Sequence, residues 1–262
     1  MNLPKQDLLL GSKYPVEIKN LLDQAESALR TWEPVWSRFS SAPVHEEARK
    51  IIGMLNEIKF EAHGGYLGAE RKRILLTPKQ SGHILQIEDV PIIGVRIEGN
   101  YLFDKPTPLD ISDALIKYGV KPEDLGDIWI YNDRFAEALC TLEAADTLHQ
   151  TNGLIREISF KCEKIKFSEI SFPSQRITKK LISIEASTRL DAIASAGFGL
   201  SRSKIVQKIK SGQLRINWMP TKQASRELQQ GDRIQLESKG SIEVISLKLT
   251  KRQRWRVEML RN

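Results

Sequence analysis

The chain has 262 residues, room for two or three compact domains, with 40% apolar and 28% charged residues, the make-up of an ordinary soluble protein. Its net charge of +7 is uneven: residues 177–262 hold 18 basic and 7 acidic residues, against 22 and 26 before them, so the basic excess at the C-terminal end points to a nucleic acid or another anionic surface. The chain has no run of 18 apolar residues, and its start, MNLPKQDLLLGSK, has no signal or transit pattern; with two cysteines, Cys140 and Cys162, too few for a metal site, it is expected to be cytoplasmic with buried thiols.

In chain order, Ile18, Leu21, Leu22, Ala25, Ala28 and Leu29 recur at helical steps behind Pro15 and predict a helix to Glu33. Trp32, Trp36 and Phe39 follow in an expected loop or short helix. A second helix is expected from Pro43 to Ile58, with Val44, Ala48, Ile51, Ile52 and Leu55 on one side. Residues 1–80 are read as a helical N-terminal module. Its last part runs His63-Gly64-Gly65-Tyr66-Leu67-Gly68-Ala69-Glu70-Arg71-Lys72-Arg73. The glycine pair allows a tight turn or close backbone approach, and Arg71, Lys72 and Arg73 either meet phosphate or solvate a surface turn. This stretch resembles the GGY-x-x-AER-x-R segment of YlmH-type proteins, bacterial RNA-binding proteins associated with the ribosome. Their photosynthetic relatives are the photosystem II S-four domain proteins.

Residues 81–170 form a third block of periodicities: strand at Ile92 to Ile97, helix at Leu109 to Tyr118, strands at Asp127 to Asn132 and Phe135 to Leu142, helix at Ala144 to Leu154, strand at Ile158 to Ile165. The order β-α-β-β-α-β predicts a ferredoxin-like sandwich, so the fold class is α+β. RNA-binding sandwiches of this kind display paired aromatics on central strands. Here those strands offer Val95, Ile97, Ala138 and Cys140, leaving Trp129 and Tyr131 as a candidate platform; the module is read as a scaffold with at most auxiliary RNA contact. Phe167 to Ser174 is read as a connector.

The basic end, residues 177–262, is organised around TRLDAIASAGFGLSRSKIVQKIKSGQLRIN from Thr188 to Asn217. Thr188 is placed to cap a first helix carrying Leu190, Ile193 and Ala194, which Gly197 and Gly199 would break. Ser201 is placed to cap a second, with Ile205, Val206 and Ile209 in one arc and Lys204 and Lys208 a turn apart on the far side. Gly212 would end it. Strands are expected at Gln213 to Asn217, at Arg233 to Leu236, and in the tail, where Trp255, Val257 and Met259 alternate with Arg254, Arg256 and Glu258. A helix start crowded with cations makes sense if an anion comes to it. The strings R-L-D, S-R-S-K, I-K-S-G-Q-L-R-I-N and G-D-R-I resemble the alpha-L RNA-binding domain named after the fourth protein of the small ribosomal subunit. The chain departs from that pattern at the hairpin tip, where Asn217-Trp218-Met219-Pro220 replaces the usual Asn-Gly. It departs again after the Gly-Asp turn, where Glu237-Ser238-Lys239-Gly240-Ser241 replaces an arginine-glycine-rich segment.

For catalysis the residues offer little. His45, His63, His83 and His149 are scattered, and no nucleotide-binding loop or nucleophile elbow is present. Some pseudouridine synthases carry an alpha-L domain and a catalytic aspartate in an R-L-D string. Here Asp191 sits inside the RNA-binding helix, where it complements the helix dipole, and the preceding residues read as two small modules rather than a large enzyme body. A binder without cofactor, metal or small-molecule substrate is expected, and a monomer. Arg202, Lys204, Lys208, Lys210 and Arg215 are expected to form a stripe on structured RNA, joined by Arg189, Ser201, Asn217 and Lys222. Arg71, Lys72, Arg73, Lys251, Arg252, Arg254 and Arg256 are auxiliary candidates. The resemblance implies ribosomal RNA or tRNA on the large ribosomal subunit, in translation or ribosome quality control, and in a photosynthetic organism a plastid or cyanobacterial link to photosystem II. The alternative is a membrane-surface or protein-interaction factor of photosystem assembly whose basic tail docks on anionic lipid.

Overall fold

A computed structural model describes residues 3–82, 89–173, 178–236 and 239–262. Ser174 at the end of the expected connector, the boundary residue Ile177, His83, and Glu237 and Ser238 after the Gly-Asp turn lie outside the described residues. Contacts divide the chain into two units, Met1–Gln175 and Arg176–Asn262.

The first unit opens with a short helix, α1 (Lys5–Leu8), and then α2 (Pro15–Thr31). Ile18, Leu21, Leu22, Ala25 and Ala28 of α2 are buried, as its 3.6-residue period demands. α3 (Ala42–Ile52) buries Val44, Ala48, Ile51 and Ile52 but ends at Ile52, six residues before its expected end, with Gly53 as the C-cap. At Ile58, the expected last residue of that helix, a strand begins instead, β2 (Ile58–His63), in which Ile58, Phe60 and Ala62 alternate with Lys59, Glu61 and His63 at the two-residue period of a pleated surface. The aromatic stretch expected as loop or short helix is likewise a strand, β1 (Val35–Ser40). Both flank β3 (Lys72–Pro78) in an antiparallel sheet of order β1-β3-β2. Ile74, Leu75 and Leu76 of the central strand are fully buried. The N-terminal helices are therefore present, and a sheet forms the layer they pack on.

Next come β4 (Ile93–Gly99), α4 (Pro108–Lys117), β5 (Leu125–Ile130), β6 (Phe135–Cys140), α5 (Leu142–Leu148), β7 (Asn152–Ile155) and β8 (Ile158–Ile165). The strands pair antiparallel in the order β5-β6-β4-β8-β7, the expected sandwich with one added edge strand. α4 begins with a capping box in which Thr107 and Asp110 satisfy each other's backbone N–H. α5 ends at Leu148, short of Leu154, because Gln150 turns left-handed (φ 61°) and donates its N–H to Cys162 at 3.0 Å, redirecting the chain into β7. Val95, Ile97, Ala138 and Cys140 point into the core beside Ile111, Leu115 and Leu148, so they are not the surface of these strands. Burial pushes the free Cys162 thiol up to about 12 and raises that of Cys140 further.

The second unit consists of β9 (Lys179–Glu185), α6 (Leu190–Phe198), α7 (Arg202–Lys210), β10 (Leu214–Ile216), β11 (Met219–Pro220), β12 (Arg233–Leu236), β13 (Gly240–Leu249) and β14 (Trp255–Arg261). They make one antiparallel sheet of order β11-β10-β12-β13-β14-β9. Leu190, Ile193, Phe198, Ile205 and Ile209 of the helices meet Leu214, Ile216, Ile234, Leu236, Ile242, Val257 and Met259 of one sheet face. Strands β9 and β13 were not expected; in β9 both faces are apolar, Leu181 partly buried and Ile182 and Ile184 about half exposed, so no alternation marks it. Gly197 does not break α6. It lies inside it, where a Cβ would come within 2.3 Å of Ile242 Cδ1 and 3.2 Å of Met259 Sδ. Gly199, at φ 65°, is the residue that ends the helix.

Within the first unit, the Gly64–Arg73 stretch joins the N-terminal sheet to the sandwich. Gly65 (φ 86°) passes so close that a Cβ would lie 3.1 Å from Leu139 and 3.3 Å from Phe167. The Asp127 carboxylate accepts from Tyr66 Oη and from the backbone N–H groups of Glu70 and Arg71, each at 2.8 Å. The expected connector is part of this joint: Phe167, Ile170 and Phe172 pack with Phe39, Tyr66, Leu139 and Trp129. Trp129 also donates Nε1–H to the Ser171 carbonyl at 2.9 Å. Trp129 and Tyr131 therefore form no shared platform; the first is covered, and the second stacks on Phe135 with centroids 5.0 Å apart. Replacing Asp127 by Ala leaves two amides and a hydroxyl without their acceptor. A destabilisation of about 2–4 kcal/mol is expected in urea denaturation, with accelerated hydrogen exchange at Glu70 and Arg71; unchanged exchange at those amides refutes the joint.

Candidate nucleic-acid interface

The basic residues of the second unit are positioned by three local devices. Ser201 caps α7, its hydroxyl accepting from the Lys204 N–H, so Arg202 and Lys204 occupy the exposed first turn. Gly212 (φ 75°) closes the helix and turns the chain into β10. The third is a loop. Leu190 and Asp191 donate their N–H groups to the carbonyls of Arg226 and Ala224 at 2.8 and 3.1 Å, and Leu228 donates to Thr188 at 2.9 Å. These bonds lay residues 224–228 along the start of α6. Thr188 consequently does not cap that helix; Arg189 is its N-cap residue, without a side-chain cap.

Asp191 stands between the two helix starts. Its carboxylate accepts from Arg189 at 3.1 and 3.2 Å and lies 3.1 Å from Arg202 Nη2. Only 8% of the Asp191 side chain is exposed, whereas the Arg202 side chain is 55% exposed. Burial pushes the Asp191 carboxyl up, but the hydrogen bonds from Arg189 and Arg202 outweigh it and hold the pKa below the usual carboxylate value. The anion expected from outside at this helix start is thus supplied partly from within. The aspartate of the R-L-D string is engaged by two guanidinium groups.

The expected stripe divides. Lys204 and Lys208 fall one turn apart on one flank of α7, and Lys208 Nζ donates to Gln213 Oε1 at 3.0 Å. Lys210 is exposed nearer the other flank. Arg215 alternates with buried Leu214 and Ile216, which directs it to the sheet face opposite the helices. Asn217 is occupied locally: its Oδ1 accepts from Arg233 N–H at 2.9 Å and its Nδ2 donates to Asp232 at 2.8 Å. Lys222 is exposed in the loop before β12. Lys251, Arg252 and Arg254 are exposed in the turn between β13 and β14, while Arg256 pairs with Glu258 at 3.0 Å. In the first unit, Arg71 donates to the Leu125 and Pro122 carbonyls at 2.7 and 2.8 Å, and Arg73 to those of Ser37 and Pro91. The strand carrying Lys72 and Arg73 pairs with β1 and β2. These cations belong to the joint.

Two residues escaped the sequence reading. Arg226 is exposed and is brought beside Arg189 by the loop bonds; a loop carries no periodicity that could have signalled it. Arg233 alternates with buried Ile234, a signal that was available in the G-D-R-I string. Among the described residues, no group of three His, Cys, Asp or Glu could hold a metal ion, and no helix is long and apolar enough to cross a membrane.

Residues 14–81 match the family model of the YlmH N-terminal domain, and residues 188–234 match that of the S4 domain, an RNA-binding module. No curated protein matches the chain. Among solved structures, a cell division protein ylmH from Streptococcus pneumoniae is similar with a TM-score of 0.43 and 19% identity, covering 59% of this chain and 94% of that one.

Exchanging Asp191 for Asn removes the charge that the two arginines share, and is expected to destabilise the second unit by about 1–3 kcal/mol at neutral pH. Since the folded-state pKa lies below the unfolded one, this contribution is complete above about pH 4 and disappears as pH falls through the depressed value. Denaturation of both proteins from pH 7 downward checks this: their stabilities should converge in acid, and a gap that stays constant refutes the assignment.

Proposed function

We propose that this chain, a YlmH-like protein with an S4 domain, grips structured RNA through the starts of α6 and α7 and acts by binding rather than catalysis. The observation carrying this reading is the arrangement around Asp191. One buried carboxylate holds Arg189 and Arg202 side by side while both guanidinium groups keep solvent-facing surface. Arg226, Lys222 and Lys204 are exposed on the neighbouring segments. Cations held in this way lose less side-chain freedom when phosphate arrives than free surface lysines do.

The RNA is read by shape and backbone. An A-form duplex hides its base edges in a deep, narrow groove and presents phosphates and 2′-hydroxyls to a basic surface. Ribosomal RNA or tRNA on the large ribosomal subunit is the partner the resemblance implies, which makes the protein a factor of translation or ribosome quality control. The basic tail favours this over a lipid surface. β14 lies between β13 and β9, and Glu258 pairs there with both Arg256 and Lys180, so that strand carries mixed charge rather than the uninterrupted basic face of a membrane-surface helix.

Binding to purified ribosomal subunits and to their naked RNA across a salt series tests the proposal. With roughly 4 to 6 phosphate contacts, log affinity should fall against log salt with a slope of about −4 to −5. An Arg202, Lys204 and Lys208 triple alanine variant should weaken binding at least tenfold and flatten the slope by about 2 to 3. Equal binding by the variant removes the interface from the helix starts.

A further inference from the structure

The tip between β10 and β11 turns through Asn217 and Trp218, with φ angles of 48° and 66°. A two-residue turn of this kind needs positive φ at both central positions, which is why Asn-Gly is its favoured sequence. Asn217 tolerates the left-handed region because its amide bonds locally, on both sides, to Arg233 and Asp232. Trp218 has no such compensation, and a bulky side chain there is an outlier. Strained residues persist only where the surroundings hold them, and they gather where ligands bind.

The surroundings are on view. The Arg233 guanidinium lies over the indole, 5.6 Å from the ring centroid, and its Nη2 donates to Ser241 Oγ at 3.2 Å. Arg233 pairs across the sheet with Glu243, and Arg215 with Gln235, on the face away from α6 and α7. The ring is half-buried, and Met219 beside it is 57% exposed. A half-open indole thus carries one arginine, Arg233, on its ring, with Arg215 on the same sheet face nearby, at a position where glycine would cost nothing.

Resting on the RNA-binding reading, we propose that Trp218 is a stacking site for a single unpaired nucleobase. Arg233, held against the same ring, meets the flanking phosphate. Every base has a π-face, so the site accepts an unpaired nucleotide of any identity and distinguishes an interrupted RNA stem from a continuous one. A protein partner would also use an exposed Trp–Arg pair, but the charge of this unit favours a polyanion.

The test uses the full chain and two RNA hairpins that differ only in one bulged adenosine. The parent protein should bind the bulged hairpin about 5- to 100-fold more tightly than the paired one. Trp218→Gly suits φ 66° and therefore folds; it should lose that preference while keeping the affinity and salt slope for the paired stem. Trp218→Phe should keep most of the preference. A parent without preference overturns the proposal, as does a glycine variant that retains it or one that loses both hairpins equally. If Trp218→Gly binds both hairpins as the parent does but loses affinity for intact subunits, the site takes a protein instead. Should the parent bind neither hairpin, the RNA-binding reading falls with it, whereas loss of both only in the Arg202, Lys204 and Lys208 variant leaves that reading standing.

Discussion

A basic surface repels itself, and in this protein a buried carboxylate holds part of it together. Two guanidinium groups near each other lose several kcal/mol at the effective dielectric of a protein surface unless an anion stands between them. Asp191 is that anion, reached by Arg189 from the turn before α6 and by Arg202 from the first turn of α7. The arrangement also fixes how the two helices start relative to each other, beside a loop bonded to the same helix start through Leu190 and Asp191. Fold and charge pattern are therefore one problem with one solution. The aspartate of the R-L-D string has both its oxygens engaged by cations.

The first unit shows the same logic applied to backbone groups. Asp127 on the sandwich accepts from Tyr66 and from two consecutive amides of the Gly64–Arg73 stretch. Glu137, fully buried, accepts from Arg96 and from the Ser171 amide. Buried carboxylates are tolerated only with such partners. Together with the Phe167 and Phe172 rings they occupy the sheet face that an RNA-binding sandwich would leave open. On that face the packing of Phe167, Ile170 and Phe172 covers Trp129, a more specific observation than the lack of an aromatic pair.

Much of the fold could be read where one face is apolar and the other polar. Helices α2, α4 and α7, strand β14 and the β-α-β-β-α-β order carry periodicities set by their own geometry, and Ser201 and Gly212 act as local signals within a few residues. Readings failed where the period was short or both faces were apolar. The helix expected from Pro43 to Ile58 ends at Ile52, the helix expected to Leu154 ends at Leu148 with Gly153 in the strand that follows, and β9 carries apolar Leu181, Ile182 and Ile184 in close succession, so its sequence does not alternate. Gly197 is ambiguous in the sequence for a related reason: a helical glycine can mark a break or a close approach, and only Ile242 and Met259, far along the chain, decide which.

The sequence by itself determined the basic C-terminal third, the order of modules, and which residue types could meet phosphate, since charge and local periodicity are properties of neighbouring residues. Tertiary structure decided which of those cations share a surface. Strand alternation sent Arg215 to the face opposite α7, backbone carbonyls drew Arg71 and Arg73 into a joint, and loop bonds brought Arg226 beside Arg189. Each depends on contacts between residues tens of positions apart, where the burial of apolar side chains, not local preference, fixes the direction in which a polar one points.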